Sequence, residues 1–361
     1  MKKLYSLIFL AALTVTAFKA NAQSSSNNGF DQLIKSSPAD VTKLMSAYAE
    51  PLFKGFGVGL NSGWNNTAAT KKFLHVDLRI TANLAMVPTT DKTFDVTKIG
   101  LSSHLTPDAS SPTNIAQSFG GDKSAPNPVL RINDDNGNKI GSFTMPKAIL
   151  SAIPAPNIQL TIGLLRNTDL TIRTTPSIDL GSDAGKVNMF GFGIKHDIIQ
   201  DFAGKGKIKP FDLALAFNYN HLGYTNSLNV QPSTGSQPAP GQPTNADFTT
   251  QQINAGFNAV NVQAIISKRL LFFTPFASVG YQSSNTNFAV NGNYPVQSTA
   301  TGQSSYYVVV SNPVTIKETS ISGMRGDLGF QLNLSVFRFY AAYSISGGGY
   351  NSVNGGIGFG F

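Results

Sequence analysis

LHVDLRITANLAM, residues 74–86, keeps a period of two without a fault. Leu74, Val76, Leu78, Ile80, Ala82, Leu84 and Met86 fall on one face; His75, Asp77, Arg79, Thr81 and Asn83 fall on the other. Successive side chains of a strand point to opposite sides, so this stretch reads as a strand with one oily and one wet face. A half-buried strand of a soluble sandwich also alternates, and length separates the two cases. Ordinary strands run about 5–6 residues, whereas a tilted strand that crosses a bilayer needs about 9–11. FDLALAFNY (211–219), RGDLGFQLNLSV (325–336) and the closing NSVNGGIGFGF (351–361) repeat the pattern. Together they predict an all-β protein, a transmembrane antiparallel β-barrel with apolar side chains outside and polar ones inside.

The rest of the sequence agrees with export to a bacterial outer membrane. Lys2 and Lys3, the apolar run from Leu4 to Phe18, and Ala20-Asn21-Ala22 form a secretory signal peptide over 1–22, cleaved near Ala22. The chain has no Cys, which excludes disulfides and thiol catalysis. Charged residues make up 13%, against about 25% in ordinary soluble domains. The net charge is +8, but Lys205, Lys207 and Lys209 are the densest basic group, too short for a nucleic-acid surface. Phe (25) and Tyr (11) outnumber Trp (1), and many stand at strand ends, as interfacial girdles require.

Twelve membrane strands are expected (range 10–14), near 55–64, 73–87, 93–101, 157–166, 168–176, 186–197, 210–222, 252–267, 271–284, 320–336, 339–347 and 350–361. The barrel then covers 53–361, and the long connections 102–156, 223–251 and 285–319 fall on the outside. Ahead of it, in a segment over 23–52, a short helix is expected at 38–49, with Pro38 in its first turn and Pro51 at its end. If 55–64 is the first strand, Gly55, Gly57 and Gly59 lie beside Gly356, Gly358 and Gly360, a seam without side chains. A twelve-stranded barrel has a clear width of about 14 Å, and a helix is about 10–12 Å across, so 38–49 is a candidate plug resting on that seam. Phe359 and Phe361 are expected to anchor the last strand, and a terminal Phe after alternating apolar residues resembles the signal by which the outer-membrane assembly machinery recognises its clients.

The inward phase carries His75, Asp77, Arg79, Asp169, Arg173, Lys195, Asp212, Arg325 and Asp327, the candidate pore lining. Both signs occur, which suggests weak ion selectivity. His75 beside Asp77 has the composition of a base and its orienter, but no third catalytic group is specified. His104, His196 and His221 lack metal-ligand spacing. No catalytic residue, metal or cofactor is expected.

PLFKGFGVGLNSGWNNTA (51–68), TIGLLRNTDLTIRTTP (161–176), FGFGIKHDI (190–198) and GIGFGF (356–361) resemble a family of uncharacterised outer-membrane barrel proteins common in Bacteroidetes. More distantly, a barrel with an N-terminal helix is similar to the long-chain fatty-acid channel family. The resemblance implies location and architecture, and clients of this kind imply the barrel-assembly machinery and periplasmic chaperones as partners, with outer-membrane lipid around them. The function expected first is a porin-like channel for passive or gated passage of small molecules. Alternatives are a transporter of hydrophobic molecules and a structural or adhesive surface barrel.

Overall fold

The computed structural model describes residues 38–179, 185–203, 209–300, 302 and 305–360. The expected signal peptide and Phe361 lie outside the described residues. Ten strands form the barrel: β1 (Val76–Met86), β2 (Asn157–Leu164), β3 (Thr168–Asp179), β4 (Lys186–Asp197), β5 (Asp212–Ser227), β6 (Gln252–Ser267), β7 (Phe273–Asn291), β8 (Val314–Leu334), β9 (Phe337–Ser346) and β10 (Ser352–Gly360). Each pairs antiparallel with the next, and β10 closes on β1 through nine residue pairs from Asp77–Gly360 to Ala85–Ser352. Closure removes every sheet edge, which lipid demands.

Burial is inverted relative to a soluble protein. Arg173, Gln282 and Thr81 are fully buried, while Phe190, Leu215, Val262, Leu328 and Ile345 are exposed, each on a different strand. Hydrocarbon can surround the second set, and only a lumen can hold the first. Among the described residues no helix is long and apolar enough to cross a membrane.

Two expected strands are not barrel strands. Residues 93–101 give only Thr93–Asp95, which pairs with Ile115–Gln117 in the outer cap. Residues 55–64 are not a strand: helix α1 runs from Pro38 to Asn61, through Pro51. The alternation of GFGVGL imitates a strand, but this segment lies inside the barrel, where no neighbouring strand is free to pair with it. Proline costs a helix interior one hydrogen bond, and packing on either side of Pro51 carries the helix through. Val41, Leu44, Met45 and Ala49 are buried before Pro51, and Phe53, Val58 and Leu60 after it.

The helix stands inside the barrel. Its N-terminal end meets the long connections: Ser102 N–H donates to Asp40 (2.8 Å), and Phe119 N–H donates to Tyr48 O (2.8 Å). Beyond Asn61 the chain descends to the short-turn end, where Lys71 N–H meets Asp169 (2.8 Å) and Leu74 N–H meets Gly163 O (2.8 Å). Residues 38–74 therefore thread the lumen from one mouth to the other.

Ten strands give a backbone diameter of about 20 Å and a clear width of about 10 Å, barely that of a helix with its side chains. The glycines make the fit. A Cβ on Gly55 would lie 2.4 Å from Ile153, one on Gly59 2.6 Å from Ala155, and one on Gly57 2.9 Å from Ser284. The expected glycine seam is therefore corrected. Gly55, Gly57 and Gly59 face different parts of the wall from within a helix, and Gly356, Gly358 and Gly360 stand beside Thr81, Arg79 and Asp77 of β1. Arg338 and Tyr340 fill the space those three leave.

Strands β5 to β8 rise beyond the apolar belt. Outward positions on β5 change from Leu213, Leu215 and Phe217 to His221, Gly223 and Thr225. Around them the long connections form a cap with small sheets: Leu105–Pro107 with Val129–Asn133 and Lys139–Thr144, and Asn293–Gln297 with Tyr306–Ser311 and Gln237–Pro238. The turn at 134–138 is the one that its Asp-Asn-Gly sequence predicts, with Asp134 Oδ1 accepting from the N–H groups of Asn136 and Asn138 and Gly137 at φ +80°.

Candidate functional site

The plug meets two different walls. In the outer half the contact is an apolar core: Val41, Leu44, Met45 and Phe53 pack with Leu105, Leu130, Phe143, Phe257, Phe288 and Ile316. The Phe53 ring lies 6.2 Å from Phe257 and 5.7 Å from Phe288. Burying a side chain of this size contributes about 1.5–3 kcal/mol. Each fully buried apolar residue of α1 opposes withdrawal of the helix by about that much.

In the inner half the contact is polar. The last four carbonyls of a helix lack the usual intrahelical partner; here Val58 O and Gly59 O accept from Ser62 and Leu60 O accepts from Trp64 Nε1 (3.0 Å), while the wall adds donors at Leu60 O and Asn61 O. Arg173 donates to Leu60 O (3.1 Å) and Ser62 O (2.9 Å), and its guanidinium stacks on the Trp64 ring, 3.7 Å from the centroid. A cation at a helix C-terminus also complements the macrodipole. Arg79 Nη2 (2.8 Å) and Gln159 Nε2 (3.2 Å) donate to Trp64 O. Arg325 donates to Ser62 Oγ (3.0 Å), Asn261 to Asn61 O (2.9 Å), and Lys195 to Thr67 O (3.0 Å) and Ala69 O (2.8 Å).

Seven of the nine sequence-nominated charges are thus drawn together around residues 60–71. Lys195 pairs with Asp169 (3.2 Å), Arg325 with Asp327 (2.8 Å), and Asp77 with Lys71 (2.8 Å) and Arg338. The other two stay at the short-turn rim: His75 precedes β1 and is exposed, and Asp212 opens β5 opposite Ser267. Asp77 serves lysine and arginine, so His75 and Asp77 do not act as a base and its orienter. Sequence reasoning missed Gln159, Arg338 and the receiving segment 60–71. The inward phase of NIQLTIG contains Gln159, and that of FRFYAAYS contains Arg338; nothing in the order of residues marks a carbonyl as an acceptor. Among the described residues, no group of three His, Asp or Glu comes together as a metal would need.

The polar seam is imperfectly satisfied. Among the described residues, Asn61 Oδ1, Asn65 Nδ2, Asn66 Nδ2, Arg79 Nη1, Asn83 Oδ1 and Asn218 Nδ2 are buried without a hydrogen-bond partner.

At the outer rim a polar tie joins plug to cap. Lys54 contacts Glu50 (2.6 Å) and Asp91 (2.8 Å), and Tyr350 donates to the same Asp91 oxygen (2.9 Å). Burial pushes the Asp91 carboxyl up, but hydrogen bonds from Lys54, Tyr350 and Thr90 outweigh it and hold the group below the ordinary carboxylate range. A carboxyl depressed in the folded state contributes stability above its unfolded value and loses it as pH falls through the folded one. The tie should therefore hold at neutral pH and release as pH drops below about 4. Protease nicking of the cap, followed against pH, should rise in that window for the wild type. In Asp91→Asn it should already be raised at neutral pH and change little with acid.

Closed ring, inverted burial and threaded lumen define a transmembrane-type β-barrel, all-β among the described residues apart from the plug helix, the short helix Ile199–Ala203 and a 3-10 turn at Thr89–Asp91. The chain belongs to the family of unknown function DUF6588, whose profile matches residues 1–361. Three solved structures that align with this chain do so at low identity and low TM-score. The outer membrane protease OmpT from Escherichia coli aligns at 8% identity over 83% of this chain and 100% of its own, with a TM-score of 0.31. The translocator domain of autotransporter NalP from Neisseria meningitidis aligns at 10%, over 91% and 98%, with a TM-score of 0.28. A mutant of the Rh. blastica porin aligns at 10%, over 79% and 100%, with a TM-score of 0.17. This likeness concerns the fold alone, and no activity is carried over from it. Curated protein sequences return no significant match.

Proposed function

We propose that this protein is a gated channel of the bacterial outer membrane, closed at rest by its own residues 38–74. It is not an enzyme on this reading. The observation that carries it is the division of the lumen. The inner wall is lined with hydrogen-bonding side chains such as Thr81, Asn83, Thr161, Gln263 and Gln282, the kind of lining a water-filled passage has, and it is occupied by a short irregular segment. Membrane barrels have polar interiors, water-filled in porins and plugged by loops or a helix in others, and here the filling is a segment of the chain with no strand pairing to the wall. Free diffusion through the resting state is set aside by the cost of ejecting α1, so the expected porin-like passage becomes gated passage. Opening then needs a push from outside, and the cap, which is tied to the plug through Asp91, is where it would act.

Outer-membrane lipid around the belt, chaperones and barrel-assembly machinery during biogenesis, and a small solute as cargo belong to the same reading. In it Phe359, packed edge-on against Phe337 at 5.1 Å, serves the final strand as an assembly anchor. A carrier of hydrophobic molecules fits less well, because the apolar outer lumen is packed with side chains and the wall is paired all the way round. A closed surface anchor presenting the cap is the second reading, and the apolar outer core favours it.

Conductance separates them. In planar bilayers the wild-type chain should give a flat baseline, and mild urea should produce discrete, reversible openings. A steady open pore without urea would refute gating. Silence until the barrel itself unfolds would favour the anchor.

A further inference from the structure

We infer that the gated passage selects anions, small solutes bearing phosphate, sulfate or carboxylate oxygens; this rests on the channel reading above. Arg79, Arg173 and Arg325 converge on five plug residues, 60–64, and what they grip is oxygen: the carbonyls of Leu60, Ser62 and Trp64 and the hydroxyl of Ser62. Guanidinium groups match carboxylate and phosphate oxygens in the same way. The plug's oxygens therefore occupy the places that an anion's oxygens would take.

The charge balance points the same way. With the plug withdrawn, Lys71 leaves with it. At this level the wall keeps three cation–anion pairs: Lys195 with Asp169, Arg325 with Asp327, and Arg338 with Asp77. Arg79 and Arg173 are left over. Arg79 is 3.9 Å from Asp77, which Arg338 already holds. Arg173 has no carboxylate within ion-pair distance among the described residues; its partners are Gln159, Trp64 and the two plug carbonyls. Both arginines are buried, Arg173 completely. A ring of arginine at the narrow level of a pore favours anions. At the short-turn end the fully buried Asp197 pairs with Lys209 (3.6 Å) and Asp212 opens β5, so these rim groups carry one net negative charge against two positive charges at the arginine level.

An alternative role for these arginines is only to cap the helix, and the test separates the two. The full-length Gly55→Leu/Gly59→Leu variant loosens the plug without touching the arginines. Its openings, measured under a potassium chloride gradient, should show an anion-to-cation permeability ratio of at least about fivefold, and millimolar inorganic phosphate should reduce the chloride current. Adding Arg79→Gln and Arg173→Gln leaves three positive and three negative wall charges, so the ratio should fall to about one and phosphate block should disappear while openings persist. A ratio near one before the arginines are changed, or one that survives their loss, overturns anion selection and leaves the channel intact. If neither variant opens while both remain folded by gel mobility, the channel reading fails and takes this inference with it.

Discussion

In planar bilayers, Gly55→Leu/Gly59→Leu should convert a silent barrel into one that opens in bursts. These glycines lie one helical turn apart and press on Ile153 and Ala155, and a Cβ alone would come within 2.4 Å and 2.6 Å of their side chains. The wall strand cannot retreat, because Ala152–Pro154 pairs with β1 at Leu84–Met86. The helix must move instead. Overpacking costs about 1–3 kcal/mol at each site, so the pair removes roughly 2–6 kcal/mol of plug seating and raises the open population by about thirtyfold to ten-thousandfold. The barrel ladders are untouched, and the variant should still migrate as a compact species on unboiled gels. A flat baseline from a folded double variant would count against the channel itself.

The second large effect is one of sidedness. A cysteine at Lys43, exposed at the long-loop end beside Gly100, should react with a membrane-impermeant maleimide on intact cells. One at Leu271, 86% exposed in a short turn, should react only after the outer membrane is breached. The wild-type chain has no cysteine, so the background is zero. Short turns face the periplasm in bacterial barrels and long loops face out, so the start of α1 is expected at the cell surface. The reverse labelling pattern would turn the molecule over.

Much of the barrel was legible because lipid and lumen impose a strict alternation on residues such as 74–86 and 211–219. Asp77, Arg79, Asp169, Arg173, Lys195 and Arg325 could be assigned to the inside on phase alone. The plug was legible only in part. Its first half announces itself by Pro38, Asp40 and the spacing of Val41, Leu44, Met45 and Tyr48. Its second half, GFGVGL, carries the period of a strand and a glycine content that costs a helix about 1 kcal/mol per residue relative to alanine. There the wall decides: glycine is the residue that lets a helix stand in a lumen about 10 Å wide. Many contacts of residues 60–71 were not legible, since they join wall side chains to backbone carbonyls such as those of Leu60, Trp64 and Thr67, which every sequence possesses.

One measurement bears directly on the threaded lumen. Ser62 of the plug and Ser352 of β10 are both fully buried, with their hydroxyl oxygens 3.1 Å apart. Cysteines at the two positions need only a small adjustment to reach disulfide length, about 2.05 Å. In the membrane fraction of a Ser62→Cys/Ser352→Cys variant, oxidation should join them, and the linked peptides should be recovered after digestion, with both thiols shielded from maleimide beforehand. Two thiols that react freely in the folded protein and never form the bond would show that the segment lies outside the barrel.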